Sequence, residues 1–150
     1  MSNLNKKNFF LAVLGLLVLV SFASALQTSN GNVVAGIWFD NSPNANSLTV
    51  TNGANIPFNV YGLAVGSALS VKVNLIKSDG SSILIASIKQ PYKDYNEFGV
   101  GSQGNYVLTP TEYGGVGNYK IRLTVTGTST AVLNLDLIVS PIAVNHSPVF

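Results

Sequence analysis

The sequence predicts an all-β sandwich: two antiparallel sheets, about seven short strands in all, packed face to face. Two observations predict it. Apolar residues recur every second position along most of the chain after residue 30, and no stretch there repeats at the helical period. Gly, Asn, Ser, Thr and Asp separate these segments, which is the chemistry of turns rather than of helix caps.

The elements follow in order. Lys6 and Lys7 precede an unbroken apolar run, Phe9 to Val20, which closes on Ala23-Ser24-Ala25. A basic start, an apolar stretch of roughly 7–15 residues and an A-x-A site describe a secretory signal peptide. Residues 1–25 are therefore expected to form a signal helix cleaved after Ala25, with Ala23 and Ala25 filling the peptidase subsites. The competing reading is an uncleaved anchor, which needs about 20 apolar residues. Residues 26–140 are expected to be the sandwich, and residues 141–150 a linker-like tail.

Within the sandwich, Val33 to Phe39 reads as a first strand and Leu48 to Thr51 as a short second one. Ile56 to Tyr61 sets Ile56, Phe58 and Val60 on one face. Leu69 to Lys77 turns Leu69, Val71, Val73 and Leu75 inward, and the Ser78-Asp79-Gly80-Ser81 turn returns it as Ile83 to Ile88. Tyr106 to Leu108 is short. Tyr119 to Thr126 and Val132 to Val139 form a closing hairpin with inward Tyr119, Ile121, Leu123, Val125 and Leu133, Leu135, Leu137, Val139. Facing leucines restrict that hairpin's register. A three-residue loop sets Lys120 opposite Asp136, and a five-residue loop sets Arg122 there. Either way Asp136 is a pairing residue on the outer face.

Composition narrows the function. The eight basic residues include Lys6 and Lys7, so after cleavage six basic residues face six acidic ones. That balance gives no nucleic-acid or polybasic membrane argument, and membrane contact is expected only through an uncleaved leader. Cys is absent, and the sole histidine, His146, lies in the tail. No Ser-His-Asp arrangement or zinc site is expected, and nothing in the spacing of Asp94, Glu97 and Glu112 selects a glycosidase pair. Gly99 to Gly104 lacks the helix and lysine of a phosphate cradle. The expectation is a non-enzyme without a resident cofactor.

Two clusters remain as binding candidates. Pro91 to Phe98 carries Tyr92, Tyr95 and Phe98 among both charge signs, with Tyr113 from the next loop as a fourth aromatic. Such faces suit a sugar or a protein partner, although Tyr92 and Phe98 also suit plugs for the sandwich end. Asp94, Asn96 and Glu97 offer oxygen ligands for calcium, against the plainer and favoured reading of turn stabilisation. Asn145-His146-Ser147 fits a glycosylation acceptor, weakened by Pro148.

The stretch Gly117-Asn118-Tyr119-Lys120-Ile121-Arg122-Leu123-Thr124-Val125 resembles the penultimate strand of immunoglobulin-like and cadherin-like repeats of prokaryotic secreted or surface proteins. Asn145-His146-Ser147-Pro148-Val149 is similar to the linker between such repeats. The resemblance implies an immunoglobulin-like fold and a tyrosine corner at Tyr119. It also implies an adhesion or structural role at the cell surface. Trp38 does not occupy the place of the antibody strand-C tryptophan. The whole reading is of a secreted or surface module binding a protein, a glycan or copies of itself. A carbohydrate-binding module and a self-assembling fibre or surface-layer subunit are the alternatives.

Overall fold

The computed structural model describes residues 26–99 and 104–143. The expected signal helix with Ala23 and Ala25, and the linker motif around His146, lie outside these. Ten strands form two five-stranded sheets. The first sheet holds β1 (Leu26–Asn30), β2 (Val33–Phe39), β4 (Ile56–Val65), β7 (Tyr95–Phe98) and β8 (Asn105–Leu108). The second has the order β3-β10-β9-β5-β6, from β3 (Ser47–Thr51), β5 (Leu69–Lys77), β6 (Ser82–Gln90), β9 (Gly117–Thr126) and β10 (Thr130–Ser140). One helical turn, α1 (Pro110–Tyr113), carries the chain from β8 to β9.

Three features depart from expectation. Among the described residues the strands number ten rather than about seven, because β1 and β7, which carry no alternating apolar pattern, add to those expected. The pairing is not wholly antiparallel: β3 runs parallel to β10, from Ser47 beside Asp136 to Thr51 beside Ser140. Residues 40–46 carry the chain from one sheet to the other, so β3 arrives heading the same way as β10. The helical turn α1 is too short to show a period. Its signals are local: Glu112 reaches back to the Thr109 amide at 2.7 Å, Pro110 opens the turn, and Gly114 closes it at φ 84°.

Alternation builds the core. Ile121, Leu123 and Val125 of β9 and Leu135 and Leu137 of β10 are fully buried, facing Val33, Ala35 and Ile37 of β2 and Phe58 and Val60 of β4. Each of these Val, Leu, Ile and Phe side chains contributes about 1.5–3 kcal/mol through its burial. Gly62 sits where β4 passes closest to the second sheet: a Cβ there would meet Val71 Cγ2 at 2.8 Å and Val125 Cγ2 at 3.2 Å. The closing hairpin takes the three-residue loop, pairing Thr126 with Thr130 and Lys120 with Asp136. Lys120 Nζ lies 3.0 Å from Asp136 Oδ1, with both side chains about half exposed. Arg122 instead faces Asn134 and donates to its Oδ1 at 2.9 Å. The tighter loop wins because Gly127 closes it with a backbone bond to Ser129 O at 2.8 Å.

Candidate functional site

Strand directions give the sandwich two unlike poles. β1 begins at Leu26, level with Ile37 near the end of β2, and β10 ends at Ser140, level with Thr51. Both strands therefore meet the remainder of the chain at one pole, together with the turn at 52–55 and α1. The opposite pole gathers the β1–β2 turn, residues 66–68, residues 91–94 and the β9–β10 loop. The hairpin β1–β2 causes this arrangement: β2 alone would start at the far pole, and β1 folds the chain back.

Asn32 clamps the far pole. Its Nδ2 donates to Val65 O at 2.9 Å and to Ser67 Oγ at 2.8 Å, and its Oδ1 accepts from the Thr128 and Ser129 amides at 3.1 and 3.3 Å. Two turns distant in sequence are thus tied to a third by one side chain. Gly31 beside it takes φ 56°, and a Cβ there would collide with Ser129 Oγ. Neither the clamp nor its role stands out in the sequence, although Asn30-Gly31-Asn32 reads as a turn.

The aromatic residues singled out by composition do not converge. Tyr92 is 59% exposed, and Tyr95 is 40% exposed, both at the far pole. Phe98 points into the core at 3% exposure, because strand alternation turns it and Asn96 inward while Tyr95 and Glu97 face out. Tyr113 is buried near the other pole. Its hydroxyl accepts from the Gly53 amide at 3.0 Å and donates to Ala54 O at 2.8 Å. Those residues precede β4, whereas Tyr95 pairs with Val65 at its end. Along a ten-residue strand that separation is about 30 Å.

Tyr92 donates to Asp94 Oδ1 at 3.4 Å, and Tyr95 donates to the Glu97 carboxylate. Burial and the Glu97 carboxylate hold the Tyr95 and Tyr61 phenols protonated. Burial pushes the Tyr95 phenol up to about 12, and the hydrogen bond to Glu97 and that carboxylate's charge add to it. Burial pushes the Tyr61 phenol further up, with Glu97 and Tyr95 reinforcing it.

The calcium candidates are split by the same alternation. Asn96 is buried and donates from Nδ2 to Ser67 O at 2.7 Å and Pro91 O at 2.9 Å, pinning the loop to the sandwich end. Glu97 lies on the opposite face, and Asp94 lies in the loop beside Tyr92. Among the described residues no three His, Cys, Asp or Glu side chains gather around one point. Tyr119 donates to Gly115 O at 2.7 Å and packs on Tyr113 with ring centroids 6.1 Å apart. A cavity of 430 Å³ on the second sheet is lined by Ile76, Lys77, Asn118, Lys120, Asp136 and Ile138. Its central ion pair is solvated.

The sheet edges are also guarded. β1 and β3 are five residues each, β7 and β8 are interrupted, and β6 is bulged opposite Val73 and Asn74. Short, broken or bulged edges resist addition of further strands.

No family model and no curated protein matches the chain. Among solved structures it is similar to a family 123 glycoside hydrolase from Clostridium perfringens at 10% identity and TM-score 0.40. That match covers 75% of this chain and 28% of the hydrolase. A β-glucosidase from Listeria innocua, in complex with gluconolactone, matches at 10% identity and TM-score 0.43, over 79% and 16% of the two chains. The C-terminal domain of Wzt matches at 12% identity and TM-score 0.37, over 77% and 78%. The chain thus spans a small part of either enzyme. At such similarity no activity or ligand carries across.

Proposed function

We propose that this chain is an exported, non-enzymatic adhesion or structural module of the cell surface, with an immunoglobulin-like sandwich. The observation that carries the reading is the polarity of the sandwich. Strands β1 and β10 meet the rest of the chain at one pole, and the exposed tyrosines Tyr92 and Tyr95 sit at the other. A module held at the first pole presents the second outward. The order β5-β9-β10 in one sheet and the Tyr119 hydroxyl bond support the immunoglobulin-like assignment. The guarded edges favour such a module over a strand-exchanging fibre subunit.

The partner in this reading is a protein or glycan of the cell surface, met by surface complementarity rather than bond chemistry. Tyrosine rings bury area at low entropic cost, and their hydroxyls are already oriented by Asp94 and Glu97. The test tethers the chain by its C-terminal end and screens arrays of surface glycans and surface proteins. The expected result is binding that Tyr92→Ser together with Tyr95→Ser abolishes while the thermal midpoint barely moves. Binding unaffected by that double variant would overturn the proposed contact pole.

A further inference from the structure

The outer faces of the two sheets differ in kind. In a two-layer sandwich one face of each sheet meets the other sheet and the second meets water. The second sheet obeys this: Lys72, Lys120, Val132, Asp136 and Ile138 on its outer face are exposed. The first does not. Val34, Tyr61 and Leu63 point away from the core yet are 8%, 1% and 1% exposed. They form a separate apolar cluster with Trp38 and Val65, and every member comes from β2 or β4. These two strands carry no Asp, Glu, Lys or Arg and read as apolar on both faces, the signature of a strand covered twice.

The amide nitrogen of Gln27 belongs to the same face, beside Gly36, Trp38 and Tyr61. It too is buried, with no hydrogen-bond partner among the described residues. Such low exposure on an outward face calls for a cover beyond the two sheets.

We infer that the outer face of the first sheet is a docking surface whose occupant is the chain's own apolar leader, Phe9 to Val20. The remaining segments fit poorly. The tail leaves from β10 in the other sheet and carries Asn145, His146 and Ser147, and residues 100–103 bring one apolar side chain, Val100. The leader is joined to β1 at Leu26 through residues 21–25, and β1 is the strand next to β2. As a helix its twelve apolar residues would span about 18 Å, and the seven-residue β2 spans about 23 Å. Covalent attachment gives the leader a high effective concentration at that face. The consequence reaches past the module's role: cleavage after Ala25 would bare an apolar sheet face that the intact chain keeps covered.

The chain lacks cysteine, so disulfide trapping in the full chain is clean. Val34→Cys is paired in turn with Val13→Cys, Leu14→Cys, Leu16→Cys and Leu17→Cys, and Val132→Cys on the opposite outer face is the control. The expected result is intrachain disulfides with Val34→Cys at leader positions on one helical face, and few with Val132→Cys. Equal yields at both places would overturn the inference, as would disulfides forming only between chains, which would make a second copy the occupant. A second reading uses Trp38, the sole tryptophan. Leu16→Asp with Leu17→Asp should red-shift its emission and raise acrylamide quenching several-fold, with far-ultraviolet dichroism unchanged. A Trp38 that stays shielded in that variant would equally overturn it.

Discussion

Asn32→Ala tests whether one side chain holds the far pole together. It removes four hydrogen bonds: two donated to Val65 O and Ser67 Oγ, and two accepted from Thr128 and Ser129. An average protein hydrogen bond is worth about 0.5–1.5 kcal/mol net. The Thr128 amide lies in an exposed loop and regains water, so the four together should cost about 2–3 kcal/mol. With a urea m-value of about 1–3 kcal/mol/M, the unfolding midpoint should fall by about 1–2 M. Hydrogen exchange supplies the local readout, since the Thr128 and Ser129 amides should lose protection. Asn32→Asp sharpens the test. It keeps the acceptor for those amides but sets a carboxylate oxygen against Val65 O, so protection should return without the stability. A midpoint within error of the parent chain for Asn32→Ala would refute the clamp.

Three further outcomes follow from named contacts. Gly62→Ala drives a methyl into Val71 and Val125 between the sheets; a loss of about 1–3 kcal/mol in urea unfolding is expected, and a neutral result would mean the sheets can part there. Tyr119→Phe deletes the 2.7 Å bond to Gly115 O and should cost about 1–2 kcal/mol with the core otherwise intact; an unchanged midpoint would show that the corner contributes nothing. Tyr95 titrates at about 12 in the folded chain against 10.0 unfolded. The folded state therefore holds its proton longer, so this stabilisation is complete below pH 10 and is lost as pH rises from 10 towards 12. Tyr95→Phe should flatten the fall of the urea midpoint across that window, and phenolate absorbance should lose a late step. An unaltered slope would count against burial and the Glu97 carboxylate as what holds the Tyr95 proton.

Much of the sandwich was legible because its strands carry the signal on one face. Leu69 to Lys77, Tyr119 to Thr126 and Val132 to Val139 alternate cleanly, and their inward residues are the buried ones. The closing register reduced to two choices for the same reason, and only loop geometry separated them. β1 was illegible because Leu26 to Asn30 carries one apolar side chain and is held by pairing with β2 rather than by burial. β7 was illegible because Tyr95 to Phe98 is a strand of aromatic and polar residues whose alternation is real but does not look apolar. The distance between Tyr113 and Tyr95 depends on which end of β4 each meets, and adjacent loops in sequence say nothing about that.

The missed features share one physical origin. Asn32 acts mostly through backbone groups of two distant turns, Val65 O and the Thr128 and Ser129 amides, and backbone leaves no trace in residue type. β2 and β4 departed from alternation in plain view: Val34, Trp38, Tyr61 and Leu63 are apolar where a solvated sheet would place polar residues. Read by period alone, such a strand still counts as a strand, and the extra apolar residues look like surplus. Their burial gives them a meaning, because an outward tyrosine and leucine at 1% exposure require a cover that the two-sheet architecture does not supply. The same hairpin that adds β1 sets Leu26 at the edge of that sheet, one strand from β2. A single addition at the N-terminal edge thus accounts for the shared pole of β1 and β10, and under the proposed docking it also accounts for the low exposure of Tyr61 and Leu63.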